Sequence, residues 1–248
     1  MNELDVLVKK PSYENLDLEN RINSIKKASE VIAQSLMEMI YDGELRPGDQ
    51  LKQEAMADLF GVSRIPVRDA FLYLVSIGLA VNIPRKGIFV APVSRNTLSY
   101  LYETRCVLEG GAIRLVVQRC DNALLSALSE IIEKQEKLKQ MSVFDVKHAK
   151  EIDGEFHRTL YSKLGNPVLS ELIFNNWLRI KQARSLSRIQ ENALIEWIDK
   201  SIVGHKQVLK ALLERNEEYA EKIVLENIRR SEKEVLQHLE ESGWLTSG

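Results

Sequence analysis

Apolar positions along the first third of the chain change their spacing, and each change marks an element. From Lys27 to Asp42, Val31, Ile32, Leu36, Met39 and Ile40 recur at helical intervals, which predicts an amphipathic helix. Gly43 ends it, and Pro47-Gly48 turns the chain before Leu51. The run from Gln53 to Leu79 then reads as two short helices joined by Phe60-Gly61-Val62-Ser63. Gly61 can take the left-handed conformation that closes the first helix. Ser63 can cap the second, and Pro66 falls in a first turn where its missing N–H is harmless. Val67, Ala70, Phe71 and Leu74 form the buried stripe, leaving Arg64 and Arg68 on another face. After Gly78 the period shortens to two. Val81 and Ile83, the tip Pro84-Arg85-Lys86-Gly87, then Ile88 and Val90 predict a β-hairpin.

From Thr97 onward no strand pattern appears. Six helical stretches follow, roughly 97–120, 122–140, 143–164, 167–190, 194–214 and 217–241. Asp121-Asn122, Met141-Ser142, Gly165-Asn166-Pro167 and Arg215-Asn216 mark the breaks. The fold class is therefore mainly α: an N-terminal winged helix-turn-helix with a small β-hairpin wing, plus a C-terminal all-α bundle of about six helices. Residues 1–24 lack periodicity and are expected to form a flexible arm, residues 25–95 the winged helix, and residues 96–242 the bundle.

At 248 residues and 44% hydrophobic composition the chain suits two modest domains with proper cores. No apolar run approaches the ~20 residues of a membrane span. The opening MNELDVLVKKPSYENLDLENR is too polar for a secretory signal, so a cytoplasmic protein is expected. Cys106 and Cys120 fall in one expected helix, about 21 Å apart at 1.5 Å per residue, beyond disulfide reach. The net charge of −2 looks unsuited to nucleic acid, but charge is local. Between Ser63 and Arg95, Arg64, Arg68, Arg85, Lys86 and Arg95 face the single acid Asp69. That is the basic footprint a DNA reader needs, with Ser63, Arg64 and Arg68 on the reading helix and Arg85, Lys86 and Gly87 on the wing.

The bundle carries polar residues on apolar stripes. Arg105 shares a face with Leu98, Leu101, Leu108, Ala112 and Leu115. A buried guanidinium needs an anion, which is either Glu109 one turn on or the carboxylate of a small effector. Asp153 and His157, four residues apart, lie among Val146, Ala149, Phe156 and Leu160. His205 shares the stripe of Val208, Leu209 and Leu212, and Asn227 that of Ala220, Ile223, Val224 and Ile228. Carboxylate plus imidazoles suit a divalent metal (Zn, Ni, Mn or Fe), and a metal-free polar pocket is the alternative. His148 falls on the opposite helix face from His157 and is expected at the surface, as is His238. A metal-dependent enzyme acting on small carboxylates is the rival reading. Glu155, its candidate base, faces away from Asp153 by about 200° of helix rotation, and no phosphate loop or nucleophile elbow is present.

The spaced residues Gly43-Glu44-Leu45-Arg46-Pro47-Gly48, Met56-Ala57, Phe60-Gly61-Val62-Ser63-Arg64, Pro66-Val67-Arg68 and Gly78-Leu79 resemble the GntR family of bacterial transcription regulators. Tyr102-Glu103-Thr104-Arg105 with Leu108-Glu109, the stretch Asp153-Gly154-Glu155-Phe156-His157 and the His205 segment resemble the FCD ligand-binding domain of the FadR subgroup. The resemblance implies a homodimeric regulator, expected as a repressor on a palindromic double-stranded operator. It also implies a small carboxylate effector, such as a sugar or organic acid, taken up by the bundle with Arg105 and Asn227 in contact. Metal-binding members have an Asp, a His four residues later and two further His. Asp153, His157 and His205 match the first three, and Asn227 stands where the pattern has its last His. An amide oxygen is a weaker ligand than imidazole.

Overall fold

The computed structural model describes residues 16–139, 145–186 and 191–245. The N-terminal unit runs α1 (Leu16–Tyr41), β1 (Gln50–Leu51), α2 (Gln53–Phe60), α3 (Arg64–Ser76), β2 (Ala80–Ile83) and β3 (Gly87–Val90). Helix α1 lies on α3, and Ile32, Leu36, Met37, Ile40, Val67, Phe71, Leu74 and Leu79 close one small core. Gly61 ends α2 at φ 64°, and its N–H bonds back to Asp58, so the α2–α3 turn is left-handed as expected. The strands form one antiparallel sheet in the order β1-β3-β2, with Val81 opposite Phe89 and Ile83 opposite Gly87. β1 is a strand of two residues, too short to leave a period in the sequence.

In the second unit the elements formed by the described residues are all helices: α4 (Arg95–Arg119), α5 (Asn122–Lys139), α6 (Val146–Tyr161), α7 (Pro167–Leu186), α8 (Glu191–Leu213) and α9 (Glu217–Glu241). Side-chain caps from Ser94, Asp145 and Asn216 accept amides of the first turns of α4, α6 and α9. Helix α4 packs chiefly on α9 and α7, while α5 lies across α6 and α8. One apolar core runs through all six. The two units meet along α7: Tyr41 Oη donates to the Leu178 carbonyl at 3.4 Å, Lys181 Nζ lies 4.1 Å from the Tyr41 ring centre, and Gln182 Nε2 donates to the Ala91 carbonyl at 3.0 Å.

Three expectations need correction or limit. Helix α1 begins at Leu16, so residues 16–24 are helix rather than flexible arm. Leu, Glu and Arg in that stretch are good helix formers, and extending a nucleated helix needs no amphipathic period. Val31 is 59% exposed, because the face of α1 that meets α3 is carried by Ile32, Ala33, Leu36 and Ile40. The expected arm over residues 1–15 and the helix ends at residues 143–144 and 187–190 lie outside the described residues.

Phe71 is fully buried at the centre of the smaller core. Phe71→Ala is expected to destabilise the winged helix by about 3–5 kcal/mol, read as a lowered midpoint in urea followed by circular dichroism.

Candidate functional site

On the N-terminal unit, the sequence places a reading face at the start of α3, and the structure exposes it. Ser63 is the N-cap residue of α3, but its side chain makes no capping hydrogen bond, contrary to the expected cap. Ser63 is exposed, and its hydroxyl is not spent on the helix terminus. Arg64 and Arg68 are exposed, and among the described residues their ion pairs are with the exposed Glu54 at 2.5 Å and Asp69 at 3.4 Å. Such surface pairs contribute little and yield readily to phosphate. Exposed Ile65 stands between the two arginines. The sequence reading missed it; an apolar residue off the buried stripe at the head of a reading helix is the signal, since it can meet a thymine methyl. The wing tip turns on Pro84-Arg85, with Lys86 N–H bonded to the Ile83 carbonyl. Arg85 sits at φ 63° and Gly87 at φ 106°. A left-handed arginine is strained by roughly 1–2 kcal/mol, and strain of that kind gathers at working positions. Arg95, counted in the basic footprint, is instead paired with Glu240 of α9.

In the bundle, Asp153, His157 and His205 each offer a ligand atom, and these atoms lie within 4.8 Å of one another. Helix α6 presents Asp153 and His157 one turn apart, and α8 presents His205 beside them. The His205 ring stacks on Phe156 with ring centres 3.6 Å apart, and His157 meets it edge-on at 5.2 Å. These residues line a cavity of about 80 Å³ shared with Arg105, Ser201, Asn227 and Arg230.

The hydrogen bonds decide what the corner lacks. His205 Nδ1 lies 2.9 Å from Gln135 Oε1, which is an acceptor, so Nδ1 carries the ring proton and Nε2 its lone pair. Ser201 donates its one hydroxyl proton to Asp153 Oδ1 at 2.5 Å and has none left for Nε2. Nε2 therefore faces Asp153 Oδ1 across 3.7 Å, acceptor against acceptor. A proton does not bridge them near neutrality, because burial, against the opposing pull of Asp153, pushes the His205 imidazole down to about 3. Burial works against ionisation of Asp153 too. The pull of His157 and His205 as they protonate at low pH, the Arg184 charge and the Ser201 hydroxyl overcome it and hold the carboxyl below its usual range. His157 is also pushed down by burial, and its buried Nδ1 has no hydrogen-bond partner among the described residues. One lone pair from each of the two imidazoles and a carboxylate oxygen make a three-residue donor set that suits a divalent cation, and Gln135 supplies the outer hydrogen bond that orients a ligating histidine.

Arg105 takes the internal one of its two expected partners. Its Nε donates to Glu109 Oε1 at 2.5 Å and Nη2 to Oε2 at 3.3 Å, while Trp177 Nε1 and Tyr161 Oη donate to the same carboxylate at 2.7 and 3.2 Å. Asn227 also departs from its expected place among the metal ligands: its Oδ1 accepts from Arg230 Nη2 at 2.8 Å. A divalent ion on that oxygen would sit against the guanidinium, like charge beside like. His148 is exposed and lies 3.7 Å from Glu151, while His238 is half-buried near the end of α9. Glu155 pairs with Lys134 at 3.0 Å on the outside, leaving the cavity without that base. The sequence reading missed Ser201 and Gln135. Ser201 stands one turn before His205, and Gln135 interrupts the buried run Leu128, Ile131 and Leu138, so the same rule of polar residues on apolar stripes points to both.

A pH dependence follows. In metal-stripped protein the unfolded chain takes up a proton at His205 below about 6.5, while the folded chain refuses it down to about 3, so stability falls as pH drops through that window. Between pH 7 and 5 this one group is expected to remove about 2 kcal/mol. Asp153, its pKa depressed, adds to the loss only below about pH 4. Melting curves of His205→Asn should show a shallower decline over the same interval.

Residues 100–230, more than half of the chain, match the FCD domain family, and residues 28–90 match the bacterial regulatory proteins of the gntR family. The Nta operon transcriptional regulator of Aminobacter aminovorans is 28% identical over 195 residues, covering 77% of this chain and 87% of that protein. The gluconate operon transcriptional repressor of Bacillus subtilis is 26% identical over 172 residues, 65% of this chain and 70% of its own. Among solved structures, E. coli McbR/YncC superposes with a TM-score of 0.71 at 24% identity, over 85% of this chain and 97% of that one, which shows the shared fold. An exposed basic reading helix and wing, joined to a helical unit with a polar cavity, thus stand in a chain that belongs to the FCD family of gntR-type transcriptional regulators.

Proposed function

We propose that the protein is a homodimeric repressor that reads a palindromic operator in the cytoplasm and responds to a small carboxylate held in its helical unit. Residues 25–95 act as the reading head and residues 96–242 as the sensing and pairing unit. In each head Arg64 and Arg68 enter the major groove, while Arg85, Lys86 and Gly87 meet the backbone or minor groove at the wing. Two-fold pairing matches the symmetry of the operator. The gluconate operon relative, a repressor by name, supports the sign of the response.

The observation that carries the sensing half is that His205 Nε2 faces Asp153 Oδ1 at 3.7 Å, acceptor against acceptor, beside His157. Asp153, His157 and His205 would hold a divalent ion there. When bound, that ion supplies a Lewis-acidic anchor for a carboxylate. Around it, Ser201 fixes the Asp153 carboxylate, Gln135 fixes the His205 tautomer, and Phe156 and Trp177 pack against the imidazoles. For the signal to reach the head, effector must prefer one arrangement of the two units, typically by about 1–3 kcal/mol.

Arg68→Ala is expected to weaken binding to a duplex selected from random sequence by about tenfold or more in a gel-shift titration at fixed salt, with the dimer intact by light scattering. Protein purified without a tag should carry about one divalent ion per chain by elemental analysis. His157→Ala should lose that ion and the release from DNA by effector, yet bind the duplex as wild type does. A His157→Ala protein that still responds to effector in full would place sensing elsewhere.

A further inference from the structure

The cavity wall carries cations beyond the Asp153, His157 and His205 corner, and their pairing is uneven. Arg105 is matched by Glu109. Lys200 Nζ lies 2.9 Å from Glu196 and 3.0 Å from Glu234. Arg184 spreads over the Trp197 ring at 4.6 Å. Arg230 differs from all of these. Its Nη2 donates to Asn227 Oδ1 at 2.8 Å and to the Lys200 carbonyl at 3.3 Å, both neutral acceptors. Among the described residues no carboxylate pairs with it, and its three other N–H donors have no partner. A guanidinium on a partly buried wall ordinarily has an anion beside it.

This arginine is held in place rather than loose. Asn227, which fixes it, packs on the bare backbone of Gly204 in α8, next to His205. A Cβ there would lie 2.7 Å from Asn227 Nδ2 and 2.9 Å from Oδ1. The missing methyl lets the amide sit against α8, and the amide in turn orients the guanidinium of α9. Arg230 lines the same cavity as Asp153, His157 and His205.

Resting on the carboxylate reading above, we propose that Arg230, positioned by Asn227, is a second anion anchor, and that the effector is a short dianion. One acid group meets the Asp153, His157 and His205 corner. The other is received by the open edge of the Arg230 fork, whose planar donors match a carboxylate. A cavity of about 80 Å³ admits only a short spacer between the two groups. Asn227 is then a positioning residue on the anion side of the cavity and not a metal ligand.

The test uses malonate and propionate, acids of similar size differing in the second carboxylate, titrated calorimetrically into the full-length protein loaded with zinc. Wild type should bind malonate about 10- to 100-fold more tightly than propionate. Arg230→Gln should erase that preference while keeping propionate affinity, and Arg230→Lys, which keeps the charge without the fork, should retain part of it. Asn227→Ala should lower malonate affinity and leave the zinc content at its wild-type level. Equal binding of the two acids to wild type, or an Arg230→Gln loss shared equally by both, would overturn the second anchor while leaving a carboxylate site. A zinc content that falls in Asn227→Ala would return that residue to the metal. Binding of neither acid to wild type would remove the carboxylate reading itself, and the dianion with it.

Discussion

The helical unit depends on one buried carboxylate. Glu109 lies in the core of the bundle, and an anion taken out of water there is tolerable only if donors surround it. It has four, from three helices: two from Arg105 on its own α4, one from Tyr161 on α6 and one from Trp177 on α7. The charge of Arg105 and these hydrogen bonds overcome burial and hold Glu109 ionised, below the usual carboxylate range. Breaking any of them leaves a charge or a donor stranded. The network therefore fixes α6 against α4, and with it the direction in which Asp153 and His157 face.

From that frame the cavity acquires two chemically opposite ends. The Asp153, His157 and His205 corner is rich in lone pairs and wants a cation. The Asn227 and Arg230 side is rich in N–H donors and wants an anion. On the reading proposed above, a metal-bound anion would satisfy both at once, which neither an ion alone nor a free acid would do. The replacement of the expected imidazole by Asn227 fits this division, because an amide oxygen can accept from a guanidinium where an imidazole nitrogen would compete with the metal.

Much of this was legible in the residue pattern. The helical period of α4 to α9, the glycine turn before α3 and the hairpin follow from local rules, and Asp153, His157 and His205 stood out as polar residues on apolar stripes. The two-residue β1 and the start of α1 at Leu16 did not, since neither needs a period of its own. Partner choice was also hidden. Whether Arg105 faces Glu109 or an effector, and whether Asn227 turns to a metal or to Arg230, depends on helices far apart in sequence. Spacing within one helix carries no information about the one packed against it.

Helix α7 has a stake in both halves. Trp177 and Arg184 border the cavity side, while Leu178, Lys181 and Gln182 touch α1 and the end of the wing sheet. These residues alternate within two turns of a single rigid rod. A tilt or slide that relieves one side must drag the other, so a sub-ångström adjustment in the cavity would have a short mechanical route to the pose of the N-terminal head.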